Sequence, residues 1–201
     1  MKNCLNYISK VLLLLPLLFI SCTKDSHDKA VTAGCDSSNT VFNQLYSTVV
    51  NNAANVEQIT MDSELHSYTF EVTSPATICK IGYQSQPTFE TYPYVIELFD
   101  NTTNTLVYSG SHTFSSASTE YVSITPVILT VGNSYTINRI QNNFPNDTAI
   151  FIGRIVGPQP NSNGQLTFPY TFGNLKITGT SFGANAGSDD YILPYIDLVF
   201  E

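Results

Sequence analysis

The residues best equipped for chemistry are few and scattered. Beyond the first thirty positions the chain carries two histidines, His66 in "ELHSY" and His112 in "GSHTF". Each lies among serine and threonine, so a Ser-His-Asp relay can be drawn on paper. No G-x-S-x-G occurs, and "GSHTF" is not a nucleophile elbow. Both histidines read as surface residues on strands. The carboxylates are spread along the chain, without the facing pair a glycosidase needs. In "GANAGSDDY", Asp189 and Asp190 offer hard oxygens of the kind calcium takes. Their spacing matches no EF-hand loop, and two adjacent acids ordinarily face water. The expectation is a non-catalytic protein with no metal and no other cofactor.

Binding chemistry has better material. Tyr and Phe together make 24 of 201 residues, and there is no Trp. Aromatic rings near turns, flanked by Asn and Asp, can stack on sugars and hydrogen-bond their hydroxyls. "YQSQPTFETYPY" and "FPYTFGN" are the best stretches for such a lip, with Tyr83, Phe89, Tyr92, Tyr94, Tyr170 and Phe172 as its candidates. The competing expectation is that these rings fill the core of a β-sandwich, hydroxyls at its edge.

The cysteines carry a third kind of chemistry. No CxxC or Cys/His spacing suggests zinc. Cys35 lies in a polar lead-in and Cys79 in an apparent strand. Two readings stand for them: a disulfide stapling the lead-in to the domain, or two unpaired thiols with Cys79 a small core residue. Cys22 closes "LLLLPLLFISC", an apolar run preceded by Lys2 and Lys10. The run from Val11 to Ile20 is half the length a membrane-spanning helix requires, and the basic-apolar-polar order reads as a secretory signal. The Ser21-Cys22 ending resembles the lipobox of bacterial lipoproteins, although Phe19 stands where Leu is commoner. The resemblance implies cleavage before Cys22, acyl chains on its sulfur and attachment to the membrane through them. Two or three chains hold stably where one is marginal. Residues 22–40 then form a polar tether, which includes His27. Its Lys24, Asp25 and Asp28 are similar to the acidic export signal of Bacteroidetes-type lipoproteins, which implies the outer membrane and display on its outer face. Asp147-Thr148-Ala149 likewise resembles an O-glycosylation acceptor of those bacteria.

Removal of residues 1–21 leaves six basic against sixteen acidic side chains, a charge near −10. An acidic chain without a basic cluster is a poor partner for nucleic acid. It is equally a poor partner for anionic lipid by charge alone. Charged residues are only 12% of the chain, and Ser, Thr and Asn supply much of its polarity. The partners to expect are the membrane, through the lipid, and an extracellular glycan or protein.

The elements that must position these residues are mostly strands. Val41, Phe42, Leu45, Tyr46, Val49 and Val50 fall at helical spacing, with a first strand as the competitor because Thr48, Val49 and Val50 are β-branched. From Ile59 the period becomes two. "HSYTFEV" alternates Tyr68, Phe70 and Val72 with polar residues, and "ICKIGYQ" follows, its Gly82 marking a bulge. "YVIELFD", "LVYSG", "EYVSI", "VILTVGNSYTINRI", "AIFIGRIV", "QLTFPYTFG", "LKITGTSF" and "YILPYIDLVFE" continue the series, punctuated by "DNTTNT", Gly132-Asn133 and "GPQPNSNG". About ten short strands spaced near ten residues, without a long amphipathic helix, imply an antiparallel β-sandwich over residues 41–201. "PVILTVGNSYTI", with Leu129, Thr130, Gly132 and Tyr135, resembles a strand-turn-strand phrase of jelly-roll domains on secreted bacterial proteins. "IELFDNTTNTLVYSG" is similar to the preceding hairpin of such domains. The resemblance implies a jelly-roll-like fold and links the chain to carbohydrate binding or adhesion.

Overall fold

The computed structural model describes residues 34–61, 64–142, 151–160, 165–182 and 191–201. The leader, Cys22, His27, the Asp147-Thr148-Ala149 triplet, Asp189 and Asp190 lie outside the described residues.

The helical reading of the first apolar segment holds. Helix α1 spans Val41–Val50 and buries Phe42, Leu45, Tyr46 and Val49, the i, i+3, i+4, i+7 stripe. Thr40 caps it, its Oγ1 accepting the Asn43 N–H at 2.9 Å. Packing of that stripe outweighs the modest helix penalty of the β-branched residues at its end.

Among the described residues twelve strands follow: β1 (Asn55–Met61), β2 (Leu65–Val72), β3 (Ala76–Tyr83), β4 (Tyr94–Asp100), β5 (Thr105–His112), β6 (Glu120–Leu129), β7 (Ser134–Ile140), β8 (Phe151–Pro158), β9 (Tyr170–Phe172), β10 (Leu175–Phe182), β11 (Leu193–Pro194) and β12 (Asp197–Phe200). All their pairings are antiparallel. One sheet runs β5-β4-β7-β2-β10-β9, and two smaller ones run β1-β8-β11 and β12-β3-β6. From β2 to β8 the chain alternates between the large sheet and the small ones, apart from the β4–β5 hairpin. The chain thus crosses from sheet to sheet at most of these connections, which builds an antiparallel β-sandwich. The C-terminal segment joins the two small sheets. Its β11 pairs with β8, the Tyr195 N–H still donates to Arg154 O at 2.8 Å, and beyond Ile196 it pairs with β3.

Alternation along the strands builds the core. Tyr68, Phe70 and Val72 from β2, Ile96 and Leu98 from β4, and Tyr135 and Ile137 from β7 meet Ile81, Tyr83, Leu129 and Leu198 from the small sheets in one buried cluster. Helix α1 lies against β9, the edge of the large sheet, and against β1, β8 and β12 of the small ones, so it links the two layers.

Two turn readings are met by the backbone: Asn104 and Gly132 adopt positive φ, at 53° and 82°. Gly82 does not mark a bulge. The register breaks between Ile78 and Lys80, at Cys79, whereas Gly82 is paired on both sides, with Asp197 and with Tyr121. Its lack of a side chain serves a close approach instead, because a Cβ there would collide with the Tyr121 ring.

Cys35 and Cys79 are joined by a disulfide, with Cα atoms 6.1 Å apart. The bond fastens the lead-in to β3 across a sequence separation of 44 residues. Closing a loop of that length restricts the unfolded chain. Cys79→Ala, or reduction of the wild type, is expected to lower stability by about 2–4 kcal/mol. Urea unfolding with and without reductant measures it, and equal midpoints would show that the bond contributes nothing.

Candidate functional site

Two groups of buried polar side chains stand out among the described residues, one inside the sandwich and one at the flank where α1 meets β8 and β12. The interior group begins with Arg139. In "SYTINRI" it is in phase with Tyr135 and Ile137, so the strand turns it inward, and it is fully buried. Its guanidinium lies over the rings of Tyr83 and Tyr94, at 5.7 and 5.6 Å from their centroids. Across the β2–β7 ladder it faces His66, and Gln141 follows on the same strand side, both fully buried. Ser85 and the Tyr94 hydroxyl share a hydrogen bond of 2.8 Å beside them.

The surface reading of His66 is therefore corrected. His66 is in phase with Tyr68, Phe70 and Val72, and a period of two sends all four inward. Burial, reinforced by the Arg139 charge, holds its pKa well below the ordinary histidine value, so it is neutral at physiological pH. His112 is half-buried on edge strand β5. Its Nε2 lies 2.6 Å from the Tyr108 hydroxyl across Gly110, with the two rings stacked.

The aromatic lip is largely dismantled by burial. Tyr83, Phe89 and Tyr94 are in the core, each no more than 1% exposed. The strand phases that bury Ile81 and Ile96 bury Tyr83 and Tyr94 with them. Phe89 is tucked in by a 3-10 turn, Pro87–Phe89. Tyr170 and Phe172 are half-buried on β9 and pack against the core. Tyr92 alone of the six is broadly exposed, at 46%. Among the described residues there is no group of three or more His, Cys, Asp or Glu placed to hold a metal ion. Among them, too, no helix is long and apolar enough to cross a membrane.

The flank group is built around Asp197, the first residue of β12, which is fully buried. Its Oδ2 accepts hydrogen bonds from Thr40 Oγ1 and from the Tyr121 hydroxyl, each at 2.8 Å. The Tyr195 hydroxyl stands 3.4 Å from Oδ2 and 3.2 Å from Asn43 Oδ1, and its one proton serves one of them at a time. Gly82, between Asp197 and Tyr121 in the ladder, is what lets the Tyr121 ring cross β3 to reach the carboxylate. The same threonine caps α1, so one side chain joins the helix to the end of the chain. Burial pushes the Asp197 pKa up to about 6, with the hydroxyl donors pulling the other way. Tyr121 and Tyr195 are raised in turn, first by burial and then by the nearby carboxylate charge.

Beside this cluster Arg154 of β8 stacks on the Tyr195 ring at 4.3 Å from its centroid and on Tyr46 at 5.8 Å. Its Nε and Nη2 both donate to Glu57 Oε1 of β1, at 2.8 and 2.6 Å. The pair separates two hollows. One of about 150 Å3 is lined by Tyr46, Ser47, Val50, Asn51, Glu57 and Arg154. The other, about 300 Å3, is lined by Glu57, Gln58, Ile59, Gln84, Gln86 and Arg154. Gln84 is held there by its Nε2, which donates to Ser116 O at 2.8 Å. These amides come from β1 and from the segment after β3, and no spacing in the sequence joins them.

Among the described residues the flank thus joins two hollows, an ion pair and a buried proton-binding carboxyl. No protein-family model matches the chain, and no curated protein sequence matches it.

The raised Asp197 pKa has a definite sign. The folded state prefers the neutral acid, so the stability gained is fully present below the ordinary value of 3.8 and is lost as pH rises through about 6. Asp197→Asn is expected to remove that slope. The difference in unfolding free energy between wild type and variant should change by about 2–3 kcal/mol from pH 3.5 to 7.5. Urea titrations across that range check it, and a difference independent of pH would exclude the assignment. Gly82→Ala is expected to cost about 1–3 kcal/mol by forcing the Tyr121 ring away from Asp197. A thermal midpoint equal to wild type would contradict the close approach.

Proposed function

We propose that the chain is a non-catalytic, lipid-anchored binding protein of the bacterial cell envelope. Acyl chains on Cys22 hold it at the outer membrane, and its sandwich is presented outward on the polar tether. The observation that carries the binding reading is the cleft beside the Arg154–Glu57 pair, walled by groups that can hold a ligand and are poorly suited to transform one. Three of its six described lining residues are glutamines, and Arg154 and Glu57 among them are committed to each other. The location rests on the lipobox-like leader and is supported by the Cys35–Cys79 bond, since disulfides persist in oxidising compartments such as the envelope. The acidic balance of the chain supports an extracellular glycan or protein as partner and speaks against nucleic acid.

A second reading, a surface lipoprotein that captures glycan for polysaccharide uptake, is favoured by the amide character of the same cleft. A hydrolase is disfavoured by the burial of His66 and by the pairing of His112 with Tyr108.

Cys22→Ser is expected to move the protein from the membrane fraction to the soluble fraction and to abolish incorporation of labelled palmitate. A variant that stays in the membrane fraction and keeps its label would end the lipid-anchor reading.

A further inference from the structure

The cleft between β1, β8 and the segment after β3 has a composition that restricts what can fill it. Among the described residues its walls hold three glutamines, one ion pair and one aliphatic residue, Ile59. The charges of Arg154 and Glu57 compensate each other at 2.6 Å, so the cleft offers little net field to a phosphate, a carboxylate or an ammonium ion. Among the described lining residues a single aliphatic one is little surface for a ligand held by apolar burial. An extended peptide would ask for a series of side-chain pockets along its length, whereas the described walls are mainly amides and one ion pair.

What the walls do supply is donors and acceptors side by side. A primary amide carries both, and the ligand group with the same duality is the hydroxyl. Gln84 spends its Nε2 on Ser116 O, which orients its Oε1 as an acceptor. Arg154 spends Nε and Nη2 on Glu57, which leaves Nη1 to donate. Gln58 and Gln86 add two further amides. A ring bearing adjacent hydroxyls needs this alternation of donor and acceptor around its rim. The volume of about 300 Å3 lies at the small end for ligand sites and leaves room for one or two sugar rings.

We infer that this cleft binds a neutral saccharide, with Gln84 and Gln86 on one side and Gln58 and the Arg154–Glu57 pair on the other. The inference rests on the reading of the chain as a binding protein and names the ligand class of that site. Recognition comes from matched hydrogen bonds, so affinity is modest and neutral sugars are preferred over uronic or sialic acids.

The test uses the Cys22→Ser chain, prepared with its disulfide intact, on an array of neutral and acidic oligosaccharides. Hits are followed by titration. The expected result is retention of neutral glycans, weakened about tenfold or more in Gln84→Ala/Gln86→Ala and in Glu57→Ala. Lys176→Gln, which removes the Lys176–Glu71 ion pair on the larger sheet, should bind as wild type. Circular dichroism confirms that each variant is folded. Neutral-glycan binding that survives both cleft variants would overturn the cleft assignment while leaving the glycan reading in place. Preference for acidic glycans, or no retention by the folded parent chain, would overturn the inference itself. The envelope-binding reading is decided separately, by the membrane fractionation and palmitate label.

Discussion

A carboxylate in a protein interior must be met by hydrogen-bond donors or become neutral, and this structure meets one with donors drawn from distant parts of the chain. Asp197 takes its bonds from Thr40 ahead of α1, Tyr121 in β6 and Tyr195 at the break in the C-terminal segment. One carboxylate oxygen thus ties these three parts of the chain together. Thr40 also caps α1, so helix position and C-terminal strand position are coupled through one hydroxyl. Tyr121 reaches across only because residue 82 has no side chain. The change of partner from β8 to β3 is thereby pinned, and with it the place where Arg154 and Tyr195 meet. The cleft depends on this node at one remove, since Arg154 forms part of its wall.

The interior of the sandwich poses the same problem with a cation. Arg139 sits at the end of a row of inward-facing residues on β7, and two tyrosine faces cover its guanidinium. His66, opposite, is kept neutral by burial and by that charge. A layer of polar and aromatic groups thus finishes a core that is otherwise aliphatic and aromatic. Here part of the material that closes the sandwich is polar. At the flank the closing element is α1, tied by its cap to Asp197, while the lead-in before it is tied by the disulfide to β3. Any pull transmitted along the lead-in therefore reaches a strand paired on both sides before it reaches the helix.

Local pattern made much of this legible. The helical stripe from Phe42 to Val49 and the two-residue alternation of β2, β4 and β7 reflect burial of one face, which leaves a trace in every short window. The turns at Asn104 and Gly132 are equally local, because positive φ selects their residue types. Side-chain type alone points His66 to the surface, and the alternation that buries Tyr68, Phe70 and Val72 buries it too. Tyr83 and Tyr94, which by type suit a ligand lip or a core, follow the phase of Ile81 and Ile96 into the core.

The sequence by itself implied an antiparallel sandwich, its turn positions and the buried faces of β2 and β4, and it left a helix or a first strand for residues 41–50, since these follow from periods of two and 3.6 and from backbone sterics. It left the Cys35–Cys79 bond as one of two readings. Only the tertiary structure decided that bond, the meeting of Thr40, Tyr121 and Asp197 over Gly82, and the gathering of Gln58, Gln84, Gln86, Glu57 and Arg154 around one cleft. Those contacts join residues tens of positions apart, through strand order and a change of partner in the last segment. Such pairing is set by the joint packing of the sheets, and no single window of sequence contains it.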